Sequence, residues 1–410
     1  MYLMKKSFGK IIFVGSGNIL NALLGFAFLS VVAKNLDIDS FGKYALLTTL
    51  LVTISKIVDF GTNSVYVAES ISKENESLTS IFYTTKILLL GISIPISWVV
   101  LKIIGLDSPN LLAVFVLGLI AYAINYTMNA FFNKDQKFTY LLSLNALPAL
   151  IKGVFAVLIL LDVVEINLIT AFSIFSLSIF SSGVLFFFLP KEYKNFKWNF
   201  SGVKRLIKKS YPAGISQLIF EGWSSISNFI AKTAKDFSNV GIYSIADKIS
   251  NVLLLGAISI FTVLLPKNAY AKKHKEKYDF KEIFLISLLI LILAFFGTFI
   301  SKIFISGFFK EKFSESLPLL GFLIFASAFT SIHTFMEHYF FIEEKTKYIM
   351  LVNVGKLAIF LTLSKILVPG LSLKGLSIAN LISSFIALLT SILLILRVQR
   401  DKKNSEVKII

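Results

Sequence analysis

Apolar stretches of about 20 residues, the length that spans a bilayer as a helix, recur along the whole chain between short polar connections. The pattern predicts twelve membrane helices. Six lie near 11–33, 43–67, 82–104, 110–132, 139–161 and 167–189. Six more lie near 211–232, 238–266, 282–305, 316–341, 348–368 and 374–397. The expected fold class is all-α integral membrane, in two six-helix lobes. The expected domains are a lobe over 1–190, a basic linker over 191–209, a second lobe over 210–397 and a charged tail over 398–410. The lobes open alike. After the first helix comes LDIDSFGKYALL, with Gly42 and Tyr44 leading into a helix that carries Lys56 and Asp59. In the second half SNVGIYSIADKISN places Gly241 and Tyr243 before the adjacent Asp247 and Lys248. Six spans per copy is an even number, so the copies share one orientation. That predicts a parallel repeat about an axis along the membrane normal, with a site at the interface of the halves.

Polar residues interrupt the apolar runs at helical spacing. The first span carries Asn18, Asn21 and Gly25; the fourth Tyr122, Asn125, Tyr126 and Asn129; the fifth Asn145, Pro148 and Lys152. The seventh carries Gly214, Gln217, Glu221, Ser224, Ser225 and Asn228. The tenth carries Ser327, Thr330, His333, Thr334, Glu337 and His338, and the eleventh Asn353 and Lys356. A polar stripe on an apolar helix turns toward a bundle interior or a wet cavity. Its uncharged members also serve as hydrogen-bonding glue between helices.

Composition agrees with the pattern. The chain is 56% hydrophobic and 16% charged, against about 25% charged in a soluble domain. The net charge of +17 would suggest nucleic acid in a soluble protein. Here the cations crowd into alternate connections and the termini, such as Lys191, Lys194, Lys197, Lys204, Arg205, Lys208 and Lys209. The positive-inside rule then puts both termini in the cytoplasm. The connection from Asp162 to Asn167 holds acids and no lysine, as an outside loop should. The N-terminal MYLMKKSFGK reads as the flank of an uncleaved first helix, because the apolar run after it is too long for a signal peptide. Zero cysteines exclude thiol catalysis and cysteine-ligated metals. No GxxxxGK[ST] loop and no soluble domain are present for an ATP-driven pump. No cofactor, metal or nucleic-acid partner is expected.

Charges inside spans are costly and mark function by default. Lys56, Lys152, Lys248 and Lys356 lie deep in their helices and are expected to bind an anionic substrate such as a phosphate or pyrophosphate head group. Asp59, Glu221, Asp247 and Glu337, with His333 and His338 on one face around Glu337, are candidate proton or cation carriers. Lys56 and Asp59, three residues apart, share a face and suit a structural ion pair. Lys86 is nearer a span end and is expected to snorkel. Asp37-x-Asp39 could serve a membrane glycosyltransferase, or Asp39 or Ser40 could cap the second helix.

Several of these segments resemble the polysaccharide transporter family. Its loop after the first helix carries a leucine, a phenylalanine-glycine and a tyrosine, matched here by Leu36, Phe41, Gly42 and Tyr44, with Asp39 one place early and Ser40 in the usual acid's place. Tyr211-Pro212, VGIYSIADKI from Val240, EEKTKYIMLVN from Glu343 and ILVPGLSLKGLSIANLIS from Ile366 continue the likeness in order. The resemblance implies a Wzx-type flippase of the multidrug/oligosaccharidyl-lipid/polysaccharide exporter superfamily, in the bacterial cytoplasmic membrane. It would move undecaprenyl-pyrophosphate-linked oligosaccharide to the outer leaflet for O-antigen or capsule. Implied partners are that lipid, H+ or Na+, and the polymerase and chain-length proteins of the same pathway. The family's late acid in the seventh helix appears here as Asn228 or a neighbour, and its asparagine in the eleventh is replaced near Phe360. A multidrug/cation antiporter of the same superfamily and a glycan polymerase are the alternatives.

Overall fold

Helices stand at all twelve expected places in the computed structural model, which describes residues 21–72, 76–252, 280–343 and 345–407. Among these residues there is no strand. Helix α1 is described over Asn21–Asn35. It is followed by α2 (Ile38–Asp59), α3 (Thr62–Ser72), α4 (Glu76–Ile104), α5 (Pro109–Lys134) and α6 (Phe138–Leu160). Next come α7 (Leu168–Ser178), the short α8 (Lys191–Lys194), α9 (Val203–Ala234) and α10 over 237–252. The last are α11 (Phe280–Phe304), α12 (Leu317–Ile342) and α13 (Thr346–Val407). Eight stretches among the described residues are apolar and long enough to cross a membrane. Asn18 and the end of the expected span 238–266 lie outside the described residues.

Three breaks shape the helices. The expected span 43–67 is two helices, because Phe60 and Gly61 both adopt left-handed backbone, at φ 42° and 70°. Phe60 caps α2 by donating its N–H to the Lys56 carbonyl. A Cβ added at Gly61 would lie 2.8 Å from the Gly214 nitrogen, so glycine at both positions lets α9 press its backbone against the kink. Helix α7 tightens into a ten-residue 3-10 segment, Ile179–Phe188, far longer than such segments usually run. Along it the hydroxyls of Ser178, Ser181 and Ser182 each bond the carbonyl three residues back. Helix α13 is broken at Ser372 (φ 49°, ψ −133°), after Pro369 and Gly370, and its two arms occupy the expected spans 348–368 and 374–397.

The chain forms two compact units, residues 1–229 and 230–410. The division falls inside α9, later than the expected 191–209 linker, because α9 is tied to α2. Thr53 and Ser225 share a hydrogen bond of 2.6 Å, and Asn228 donates to Thr49 at 3.3 Å. The linker itself packs into the first unit. Tyr193 on α8 is buried and stacks on Phe131 at 4.3 Å. Its hydroxyl donates to Asp135 at 2.6 Å. Around it Tyr66, Phe82 and Phe131 form an aromatic core at one end of the unit.

Candidate functional site

In the first unit the charged positions of α2, α4 and α9 meet over Tyr126 of α5. Asp59 is buried and receives Lys86 of α4 at 2.9 Å, with both side chains almost fully enclosed. Two sequence expectations are thereby corrected. Lys86 does not snorkel; its ammonium turns inward to a carboxylate. Asp59 forms its salt bridge with Lys86 and not with Lys56, its i−3 neighbour. An isolated buried carboxylate would be far more costly than a paired one.

Lys56 turns instead to Glu221 of α9, at 3.4 Å. Its ammonium also stands 4.8 Å from the centre of the Tyr126 ring, with Lys86 5.9 Å from the same ring. Tyr126 stacks on Tyr122 one helical turn away, at 5.5 Å, and its hydroxyl shares a 3.0 Å bond with Ser55. Asn63 of α3 donates to the Tyr126 carbonyl at 2.9 Å. The result is two ammonium groups and two carboxylates around an aromatic floor. Glu221 is the accessible member, with 36% of its side chain exposed against 6% for Asp59. Two buried amide oxygens in this unit, Asn63 Oδ1 and Gln217 Oε1, have no hydrogen-bond donor among the described residues.

Lys152 of α6 lies at a different level. Its ammonium is 5.2 Å from the Phe175 ring, and Phe175 meets Tyr44 edge-on at 6.4 Å. Tyr44 and Lys56 are twelve residues apart on α2, about 18 Å along the axis at 1.5 Å per residue. Among the described residues no carboxylate lies within ion-pair distance of Lys152.

In the second unit polar side chains converge from α12 and both arms of α13. Lys356, buried, donates to Thr330 at 2.8 Å. Thr330 donates to Ser384 at 3.1 Å, and Ser384 to Asn380 at 3.4 Å. One turn along α12, His333 meets Ser391 through Nδ1 at 2.9 Å and Glu337 through Nε2 at 3.3 Å. Asn353 donates to the same Glu337 oxygen at 2.8 Å. On α10, Asp247 is buried and accepts from Asn251 at 3.2 Å, while Lys248 is half-buried. The His338 side chain lies outside the described residues. No cluster of metal-ligating groups occurs among the described residues.

At the start of α2 the cap is Asp37, which accepts from the Ser40 N–H at 2.9 Å, and not Asp39 or Ser40. Asp39 pairs with Lys43 on the same helix. Both acids of the Asp37-x-Asp39 pair therefore have structural partners. Lys86 is the member of the site that the sequence reading missed. Its signal was present: a lysine inside an apolar run, IFYTTKILLLG, ten residues into α4.

The family model for polysaccharide biosynthesis proteins matches residues 8–269, more than half of the chain. The chain belongs to that family. No curated protein sequence matches it. Among solved structures it is similar to the lipid II flippase MurJ in an inward closed conformation, with a TM-score of 0.73 at 15% identity, over 94% of this chain and 87% of that one. It is also similar to an inward-facing multidrug resistance MATE family transporter of the MOP superfamily, with a TM-score of 0.70 at 15% identity, over 94% and 96% of the two chains. A third is a MOP superfamily transporter from Pyrococcus furiosus, described as having a binding pocket of reversed polarity that suggests a different function, with a TM-score of 0.58 at 14% identity over 94% of both chains. The chain shares the fold of these solved proteins and is a multi-pass membrane protein.

Proposed function

We propose that the protein is a flippase that carries undecaprenyl-pyrophosphate-linked oligosaccharide from the cytoplasmic to the outer leaflet by alternating access, in two six-helix lobes with both termini in the cytoplasm. Membership of a polysaccharide biosynthesis family supports a glycan cargo. The likeness to a lipid II flippase supports a lipid-linked one. The observation that carries the reading is the arrangement around Lys56. Its partner Glu221 is accessible and 3.4 Å away, beyond an ordinary charge-assisted contact. The deeper pair, Lys86 with Asp59, is closed at 2.9 Å.

At rest the four charges cancel. A pyrophosphate displaces the Glu221 carboxylate from Lys56, or a proton on Glu221 releases Lys56 to it. Either exchange keeps the ammonium paired as the head group enters a low-dielectric space. Tyr122 and Tyr126 offer stacking faces to sugars, and the side-chain oxygens of Asn63 and Gln217, without a donor among the described residues, accept from sugar hydroxyls. Lys152, on the Tyr44 level, is the second cation met by the head group on its way outward. In the second unit Lys248 and Lys356 are further cargo cations. Asp247, Glu337 and His333 are the proton or cation carriers that couple transport to the gradient. The membrane potential, positive outside, favours outward anion movement by about 2.3 kcal/mol per charge per 100 mV.

The test is the leaflet distribution of lipid-linked repeat units in cells lacking the protein. An impermeant glycan-modifying reagent is applied to intact cells and to inverted vesicles. Complete units confined to the cytoplasmic face are expected. Units that reach the outer face unpolymerised would overturn the reading in favour of a polymerase. A cation antiporter is the second reading, favoured by the accessible Glu221 among tyrosines. It would leave the leaflet distribution untouched and change drug resistance instead.

A further inference from the structure

A cavity of about 240 Å³ opens between α4, α5 and the 3-10 end of α7. Its walls include Tyr83, Lys86, Ile87, Ala123, Met128 and Phe186. Ile87 and Phe186 at its edge are each 41% exposed, as is expected of side chains that meet bilayer hydrocarbon. Lys86 forms part of the wall, while its ammonium points away to Asp59 and stands over the same tyrosine as Lys56. The aliphatic stem of one lysine thus separates an apolar cleft from the charged site.

We propose that this cleft holds the first isoprenoid units of the lipid carrier while its pyrophosphate sits at Lys56; the inference rests on the flippase reading and locates the part of the substrate that reading leaves in the bilayer. The occupant must be apolar, since Lys86, the one charged side chain lining the cleft, directs its charge elsewhere. It must come from the bilayer, since the edge residues face lipid. It must also belong to a molecule with an anionic head, since the back wall adjoins the Lys56 site. On the flippase reading that molecule is a polyprenyl pyrophosphate, whose first isoprenoid units lie directly beside the anionic head. Depth agrees. Lys86 is ten residues from the start of α4 at Glu76, about 15 Å from the end placed at the cytoplasm, so the cleft opens to the leaflet from which cargo is loaded. The long 3-10 segment that carries Phe186 is a strained wall of the kind associated with hinges, suited to shifting as a chain enters or leaves.

The experiment uses the purified full chain in phosphatidylcholine nanodiscs and a polyprenyl phosphate with a diazirine near its first isoprene units. Adducts are mapped by mass spectrometry, and binding of inorganic pyrophosphate is measured in parallel. Adducts on α4 and α5 are expected, suppressed by unlabelled polyprenyl phosphate and not by phosphatidylglycerol. Ile87→Trp narrows the mouth at a lipid-facing position. It should lower adduct yield about tenfold, the loss of roughly two buried methylenes, with pyrophosphate binding retained as proof of folding. Adducts elsewhere, equal competition by phosphatidylglycerol, or an unchanged yield in Ile87→Trp, with pyrophosphate still bound, would overturn the cleft and leave the flippase reading standing. Loss of both ligands from the unaltered protein would overturn both.

Discussion

The two units surround their buried charges differently: close lysine–carboxylate pairs in the first, a network of hydroxyl, amide and imidazole contacts in the second. In the first, charge meets charge: Lys86 with Asp59, and Lys56 with Glu221. In the second, Lys356 donates to Thr330, Asp247 accepts from Asn251, and Glu337 is shared between His333 and Asn353. Hydrogen bonds from neutral groups hold a charge in a fixed orientation and add no counter-charge for an incoming anion to expel. An ion pair with an accessible carboxylate supplies a counter-ion that can be exchanged. The first unit therefore contains both a closed pair and an open one within one cluster, and the open one is the member that the proposed exchange would use.

The sharpest way to break that distinction is to remove one partner of the closed pair. Asp59→Ala should destabilise the protein by about 3–5 kcal/mol, because it leaves the Lys86 ammonium buried without its counter-charge. The double variant Asp59→Leu with Lys86→Met should recover most of the loss. Thermal unfolding in detergent reads both, and an Asp59→Ala protein as stable as the parent would show that Lys86 finds water or another partner.

The second unit should respond less. Glu337→Gln keeps an acceptor for Asn353 and loses the negative charge that faces His333 and lies near Lys356, at a cost of about 1–2 kcal/mol. A loss as large as that of Asp59→Ala, measured in the same way, would erase the contrast between the units. Lys56→Ala sharpens the contrast from the other side. Its pair is longer and partly open, so its removal should cost about 1 kcal/mol or less in stability. Leaflet assays should nonetheless show lipid-linked units trapped at the cytoplasmic face. A Lys56→Ala protein that transports at the parental rate would remove the exchange mechanism.

The smallest effect lies outside the membrane, at the α2 cap. The Ser40 N–H, followed by the Ser40 hydroxyl, holds the Asp37 carboxyl below its ordinary range. The folded-state value is the lower one, so this stabilisation is present above the unfolded carboxylate range, near about 4, and is lost as pH falls through the folded value. Asp37→Ala should cost about 0.5–1 kcal/mol. Unfolding followed from neutral to acid pH should show the cap's contribution fading in the parent and missing in the variant. An acid profile unchanged by the substitution would show that the cap carries no stability.

The membrane class, the helix positions and the family likeness were legible from sequence because they rest on short-range properties. Apolar length sets a span, and Pro369-Gly370 falls between the last two expected spans, whereas the break at Phe60-Gly61 inside the expected span 43–67 came only from the fold. The deep lysines and acids were also visible, since a charge in an apolar run is conspicuous. Their partners were not. Asp59 has Lys56 three residues away on its own helix, yet pairs with Lys86, twenty-seven residues away on α4. Lys56 reaches Glu221, far along the chain on α9. Sequence spacing ranks neighbours along one helix, whereas a buried charge takes whichever counter-charge the packing of helices brings within about 4 Å. The long-range approach of α9 to the α2–α3 kink, permitted by Gly61 and Gly214, decided that pairing. The packing of α4 on α2 made Lys86 part of the site, and α4, α5 and the 3-10 end of α7 enclose the apolar cleft beside it.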